Sequence, residues 1–416
     1  MDYSIVKKIF LDCFRLDTID YERTRVLTIA HDNDRSFLLE NGKYYSPLVD
    51  TIEDDLARHG VDCVSVARII SSIKGDISYG NARSPEGRFA RALIGKRLKG
   101  LLFRGAYPFS RMEEHTWGEI LDRTGAEKVV GILPSRELCT ASRKRGVWVA
   151  DVQHGVIADQ HPWYGDRFRA HDPIEYLPHA FLVWDHGSGS VISKWAQRRG
   201  VETIVTGNRW IARFMHRAAD DALVNQLAAR FMRESGGWAS RKTILVSLSA
   251  GDFNIPNGFV PPGLEAVIRR TAKEFRWLVR LHPNQIRGFN TDESKRFFAY
   301  FDQSLRGLAE WELATRYPLP LILHHVDLHV SWSSSVCIEA AQFGIKSALM
   351  NPRLRTLNDC DEYYEYYRKL GMIDFIDESE AVVHGWIRNN LNVRTAPESY
   401  AEFDREYYKL VEFLAA

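Results

Sequence analysis

The stretch Asp327-Leu-His-Val-Ser-Trp-Ser-Ser-Ser-Val-Cys-Ile-Glu-Ala-Ala-Gln-Phe-Gly344 changes character halfway along. Its first residues, through Ser331, are a short apolar run that reads as a buried parallel strand. From about Ser335 the apolar residues fall at helical spacing as far as Phe343, and Gly344 is a helix stop. Between the two lies a turn of three serines. Ser333, Ser334 and Ser335 would bring hydroxyls and unpaired backbone N–H groups to a helix N-terminus, where the dipole favours an anion. Glu339, one helical turn further in, could accept hydrogen bonds from ribose hydroxyls. The plainer alternative is a serine cap with a solvated glutamate.

Upstream, Trp277-Leu-Val-Arg-Leu-His-Pro-Asn284 reads as another strand, stopped by Pro283. It delivers Arg280, His282 and Asn284 near its carboxyl end, where open α/β sheets bind ligands. A guanidinium and an imidazole there suit a phosphate. Alternatively, His282 caps the turn and Arg280 pairs with an acid. The loop 247–252, Ser-Leu-Ser-Ala-Gly-Asp after the run 243–247, has small residues that permit close backbone approach, and Ser249 is its candidate contact.

The strand–helix alternation extends in both directions. Apolar runs at 26–30, 61–66, 128–133, 147–152, 180–184 and 201–206 are separated by helical patterns, one with Ser46 as N-cap and Pro47 at its first position. After the helical segment 211–240 the alternation resumes at 243–247, 277–281, 321–323, 328–331 and 346–350, and three further helical stretches close the chain. The reading is an α/β protein of two Rossmann-like, doubly wound domains facing a cleft. The boundaries read as an acceptor-binding domain at 1–210, a helical connection at 211–240, a nucleotide-sugar-binding domain at 241–395, and a helix at 396–416 that could cross back to the first.

The His282-Pro283 and Ser333-Ser334-Ser335 motifs resemble those of GT-B transferases that build bacterial envelope polymers, among them polysialyltransferases, capsule polymerases and teichoic-acid transferases. Glu339-Ala340 followed by Gly344 is similar to the nucleotide-binding helix of GT-B enzymes and of UDP-N-acetylglucosamine 2-epimerases. The resemblance covers a small part of the chain. It implies a metal-independent glycosyltransferase with no bound cofactor, using a CMP- or UDP-linked sugar as co-substrate, with Ser249, Arg280, His282, Asn284, Ser333, Ser334, Ser335 and Glu339 at the nucleotide. The implied acceptor is a surface glycan such as capsule or lipopolysaccharide O-antigen, or a lipid-linked precursor. Two other readings stay open: an epimerase acting on the sugar nucleotide alone, and a sugar-nucleotide-binding protein without turnover.

In the first half, Val149-Ala-Asp-Val-Gln-His-Gly155 ends a strand and presents His154 as a candidate general base. The following loop carries His161, Trp163 and Tyr164, suited to sugar recognition; a histidine that merely holds this loop is the alternative. Asp32, in His31-Asp-Asn-Asp-Arg35 after the first strand, is a second candidate base. Asp32 and Asp34 mimic the metal-binding DxD of GT-A enzymes, but they precede any completed nucleotide fold, so no metal site is assigned.

A formal net charge of +1 over 416 residues excludes a histone-like polyanion binder, and no nucleic-acid partner is expected. Cys13, Cys63, Cys139, Cys337 and Cys360 form no CxxC pair, which fits a reducing compartment. The opening residues lack a signal-peptide core, and no run approaches the ~20 apolar residues of a membrane span. The chain therefore reads as cytoplasmic. Seven basic residues between Arg88 and Arg111, with no acid among them, could bring it to the cytoplasmic face of the inner membrane; a helix face packed on the domain is the plainer reading.

Overall fold

A computed structural model describes residues 3–416, apart from 16, 18, 19, 33, 36, 69, 70, 103–107, 162, 166–168, 237, 239, 240, 250–254, 256, 257, 287–290, 357–363, 394, 397 and 398. The chain divides into two compact units, Met1–Arg209 with Ala401–Ala416, and Trp210–Tyr400.

The first unit opens with α1 (Tyr3–Asp12) and β1 (Val26–Ala30), a small hairpin of β2 (Phe37–Leu38) and β3 (Tyr44–Tyr45), then α2 (Asp50–Arg58) and β4 (Cys63–Ala67). It continues through α3 (Glu86–Leu102), α4 (Arg111–Thr124), β5 (Lys128–Gly131), α5 (Arg136–Arg143), β6 (Trp148–Val152), β7 (Ala180–Val183), α6 (His186–Ala196) and β8 (Glu202–Val205). The six long strands form one parallel sheet in the order β4-β1-β5-β6-β7-β8. All five β1 residues are buried, as a sheet covered on both faces requires. Leu27, Ile29, Val129 and Val149 face the helices α4 and α5, whereas Val26, Ala30, Val130 and Ala150 face α2 and the closing helix.

The second unit begins within α7 (Arg209–His216) and runs through α8 (Ala222–Glu234), β9 (Thr243–Ser247), α9 (Pro262–Thr271), β10 (Arg276–Arg280), α10 (Pro283–Ile286), α11 (Thr291–Ser304), α12 (Glu312–Arg316), α13 (Leu319–Leu323) and β11 (Leu328–Ser331). Then come α14 (Val336–Gln342), β12 (Lys346–Leu349), α15 (Arg353–Thr356), α16 (Glu365–Lys369), β13 (Ile373–Phe375) and α17 (Glu380–Asn390), before α18 (Ala401–Ala415) rejoins the first unit against α2 and β8. Its five strands are parallel in the order β10-β9-β11-β12-β13. The helical segment after Arg209 belongs to this unit: Phe231 of α8 packs on Trp238, Tyr317 and His325. Gly344 ends α14 at φ +72°, and a Cβ there would lie 2.2 Å from the Thr395 carbonyl, so both conformation and space demand glycine.

Three local expectations differ. Ser46 does not cap α2; its Oγ accepts the Val49 N–H at 3.2 Å in a preceding turn, and its own N–H donates to Asp50 at 2.6 Å, so the helix starts at Asp50. The run 321–323 is helical because Pro318 and Pro320 lead into it; proline presets a helical φ and cannot donate to a sheet ladder. The edge strand β13, only three residues with Asp374 at its centre, falls where helices were expected.

Candidate functional site

In each sheet the chain leaves one side of its first strand and resumes on the other, creating a switch point where the loops diverge. In the second unit it lies between β9 and β11. Arg280, Ser247 and Ser331 stand side by side at the carboxyl edge, because β9 pairs Ser247 with both. The His282 loop and the serine loop therefore leave the same edge two strand spacings apart, about 10 Å. The β9 loop runs between them, and Ser249 Oγ donates to the Ser333 carbonyl.

The three serines have separate roles. Ser334 Oγ accepts the Val336 N–H at 3.3 Å. Ser335 occupies the N-cap position of α14 without a side-chain capping bond. Among the described residues the hydroxyls of Ser333 and Ser335 and the carboxylate of Glu339 take no side-chain hydrogen bond, although all three residues are only half-buried. Burial pushes the Glu339 carboxyl up to about 7, against the opposing pull of Arg280. The Arg280 cation is in turn lowered to about 10 by burial, with Glu339 partly restoring it. The two groups thus act on one another electrostatically. Arg280 Nη1 also donates to the carbonyls of Ala314 and of Tyr317, the latter at 2.8 Å, which pins the guanidinium to the end of α12.

His282 has its N–H held by Gln285 Oε1 at 2.8 Å, and Gln285 is held in turn by Glu293 at 2.9 Å. Burial lowers its imidazole below the usual range, with Glu293 opposing, so the ring is neutral near pH 7. The Asn284 side chain and residues 250–252 of the small-residue loop lie outside the described residues, as do Arg104 and Cys360.

Under the serine loop lies His329, which the sequence reading did not single out. It is fully buried, with Nε2 2.7 Å from Ser247 Oγ and Nδ1 3.0 Å from Ser347 Oγ, so it bridges β9, β11 and β12. Burial lowers it to about 3. Ser331 Oγ donates to the Ser247 carbonyl at 2.7 Å beside it. A polar ladder through the strand ends fixes the loops that leave them. Its signal in the sequence is the polar His and Ser alternating with Leu328 and Val330 in an otherwise apolar strand.

The first unit's switch point lies between β1 and β5. Asp32 is buried and clamps the 71–73 turn: it accepts from Ser71 Oγ at 2.5 Å, Ser72 N–H at 2.6 Å and Ile73 N–H at 3.1 Å. Leu133, after β5, sits at φ +48° with its N–H held by Asp151 at 2.9 Å, a strained conformation for a branched residue. His154 follows β6. Its Nδ1 lies 2.5 Å from the Tyr164 hydroxyl, and Tyr164 also packs on His161. Burial lowers His154 to about 4, helped by His161 and Arg68. Gln153, its neighbour, bonds Trp184, Gly155 and Ser188 and locks the strand end. Asp32 and His154 are thus separate groups, one clamping a turn and the other set against the aromatic loop.

No family model matches the sequence, and no curated protein matches it. Solved structures do match the fold. A Staphylococcus aureus MnaA–UDP structure aligns over 94% of this chain and 97% of its own, at TM-score 0.54 and 11% identity. A UDP-GlcNAc 2-epimerase from Neisseria meningitidis aligns over 94% and 99%, at TM-score 0.54 and 12% identity. The wall teichoic acid polymerase TagF aligns over 99% and 90%, at TM-score 0.54 and 11% identity. The chain has the GT-B fold that these enzymes share.

Proposed function

We propose that this chain is a glycosyltransferase that moves a sugar from a nucleotide-activated donor to a surface glycan or lipid-linked acceptor. The observation that carries the reading is the second unit's switch point, where the Ser333 and Ser335 hydroxyls and the Glu339 carboxylate take no side-chain hydrogen bond among the described residues, although Arg280 acts on Glu339 electrostatically. Polar groups left open at the carboxyl edge of a parallel sheet are what a nucleotide needs there. In this reading Ser333, Ser334 and Ser335 take the phosphates and Glu339 accepts the ribose hydroxyls. Arg280 and His282 lie beside the leaving phosphate, with Asn284 and Ser249 as further contacts. The structures of similar fold bind UDP and UDP-GlcNAc, which supports a uridine nucleotide beside the cytidine one that the motifs suggest.

His154 is the base assigned to the acceptor hydroxyl. Asp32 is the weaker candidate, because its oxygens already accept three hydrogen bonds. The imidazole, lowered to about 4 by burial, is neutral at physiological pH and free to take a proton. That role requires the tautomer in which Nδ1–H donates to the Tyr164 oxygen, leaving the Nε2 lone pair open. Binding measured against UDP, CMP, CDP, GDP and dTDP tests the donor site, and His282→Ala is expected to weaken the favoured nucleotide at least tenfold. An unchanged affinity would remove His282 from the site.

The second reading, an epimerase, draws on the equal likeness to UDP-GlcNAc 2-epimerases. Incubation with UDP-GlcNAc alone separates them: epimerisation without any acceptor would replace the transferase assignment.

A further inference from the structure

The loop that follows β6 carries two imidazoles, His154 and His161, set against one buried tyrosine. Tyr164 is 1% exposed and seats its ring against Phe181, while its backbone carbonyl accepts the Trp195 Nε1–H at 2.9 Å. Held in this way, its hydroxyl lies 2.5 Å from His154 Nδ1, and its ring meets that of His161 at a centroid distance of 5.0 Å. The turn between them is closed on itself. The His161 N–H donates to the Ala158 carbonyl at 2.9 Å, and the Gly165 N–H donates to the His161 carbonyl at 2.9 Å. A Cβ at Gly165 would lie 2.0 Å from the Asp159 carbonyl, so the turn closes only with glycine there.

Hydrogen bonding fixes where each ring carries its proton. His161 Nδ1 accepts the Trp163 N–H at 3.1 Å, so that nitrogen bears no proton. Burial lowers the imidazole below its usual range, so near pH 7 it is neutral with its single proton on Nε2. His154 has the opposite arrangement when its Nδ1–H donates to Tyr164, which leaves the lone pair on Nε2. One loop therefore supplies a donor nitrogen and an acceptor nitrogen from two rings, near enough for His161 to act electrostatically on His154. His161 is half-buried, and its Nε2–H takes no hydrogen bond among the described residues.

The ligand class follows from that pairing. Neighbouring sugar hydroxyls can each give one hydrogen and accept another, which matches a donor beside an acceptor. A carboxylate or phosphate would set its own lone pairs against that of His154. An apolar ligand would leave both nitrogens unmatched. We propose that His161 is a sugar-contacting residue, its Nε2–H donating to a hydroxyl oxygen next to the hydroxyl whose proton His154 Nε2 accepts. That this sugar is the acceptor substrate rests on the transferase reading; the pairing of the two rings does not.

Nitrogen NMR of the full chain carrying isotope-labelled histidine tests it, with the methyl glycosides of glucose, galactose and mannose as probes. At pH 7 His161 should be protonated on Nε2 and His154 on Nδ1, and at least one glycoside should shift the His161 Nε2–H resonance. His161→Asn keeps the turn, because the asparagine oxygen accepts the N–H two residues on, but its amide falls short of the Nε2 position. That variant should bind the responsive glycoside roughly five- to tenfold more weakly, the worth of one hydrogen bond, as read from the His154 resonances. A His161 proton found on Nδ1 overturns the proposal, as does a resonance that no glycoside moves or glycoside binding unchanged in His161→Asn. A shift of equal size on adding UDP alone also overturns it, because the ring would then be a nucleotide contact. A chain that binds no nucleotide while His161 still answers a glycoside loses the donor-site reading and keeps this one.

Discussion

The carboxyl edges of the two sheets are built alike and finished differently. In the first unit the polar residues just past the strands are occupied. Asp32 holds the 71–73 turn, Asp151 holds Leu133, Gln153 holds three neighbours, and Asp185 caps α6 through Ser188 at 2.8 Å. In the second unit Ser333, Ser335 and Glu339 stand at the same kind of edge with no side-chain hydrogen bond among the described residues. These groups are half-buried, so solvent can serve them until a ligand takes its place. On the proposed reading, the donor site is the edge whose polar groups the protein leaves open. In the first unit the aspartates hold turns and caps, and His154 is the base that the proposed function assigns.

The largest expected effect tests how far the first unit depends on buried charge. Arg35 is fully buried beside Asp50 at 3.5 Å and Ser65 Oγ at 2.7 Å, and burial pushes the Asp50 and Glu53 carboxyls up. Arg35→Ala should lower stability to urea by about 3–5 kcal/mol, because it strands the acids of a buried ionic cluster. A loss under about 1 kcal/mol would mean the cluster is already wet.

Next comes the direct contrast between the edges. Asp32→Ala frees two backbone N–H groups and a hydroxyl, and should cost about 2–4 kcal/mol with nucleotide affinity unchanged. Ser333→Ala/Ser335→Ala should do the reverse, weakening nucleotide at least tenfold with stability within about 0.5 kcal/mol of wild type. If both variants behave alike, the distinction between occupied and open edges collapses.

Glu339 sharpens the point by its sign. Its carboxyl is raised to about 7 by burial, so between pH 4.5 and 7 the unfolded chain releases a proton that the folded one keeps, and stability falls as pH rises through that window. Glu339→Gln should therefore stabilise the free protein by about 2 kcal/mol at pH 8 while weakening nucleotide binding. A variant that loses both would mark Glu339 as a structural residue.

The smallest effect concerns His154, lowered to about 4 by burial. Below pH 6.5 the unfolded chain gains a proton that the folded one refuses until about 4, so this residue makes the protein less stable as pH falls through that range. If it is the base, the acid limb of kcat/KM should lie near pH 4, with a flat profile above pH 5. A limb near 6.5 would assign the chemistry elsewhere.

Much of this was readable from local pattern. β1 and the strand ending at Arg280 announce themselves as apolar runs bounded by polar loops, and the serine turn between β11 and α14 marks its own helix start. What escaped was decided by partners far along the chain. Asp32 and Ser333 are both small polar residues after a strand, and nothing local says that the carboxylate of one holds the 71–73 turn while the hydroxyl of the other takes no hydrogen bond among the described residues. The edge strand β13 has three residues, too few to show a period. The cationic run of α3 looked outward because composition does not record that Glu113, Glu119 and Glu137 would meet it.

By itself, then, the sequence determined the alternation of strand and helix, the two doubly wound sheets, and the residues that reach each carboxyl edge, since these follow from side-chain period and short-range capping. Only the tertiary structure decided which polar groups are satisfied, which imidazoles are held neutral and which apolar face is left to solvent. Desolvation and hydrogen-bond pairing depend on neighbours tens to hundreds of residues away, such as the Tyr407 hydroxyl on Asp55 at 2.7 Å, and no local pattern encodes them.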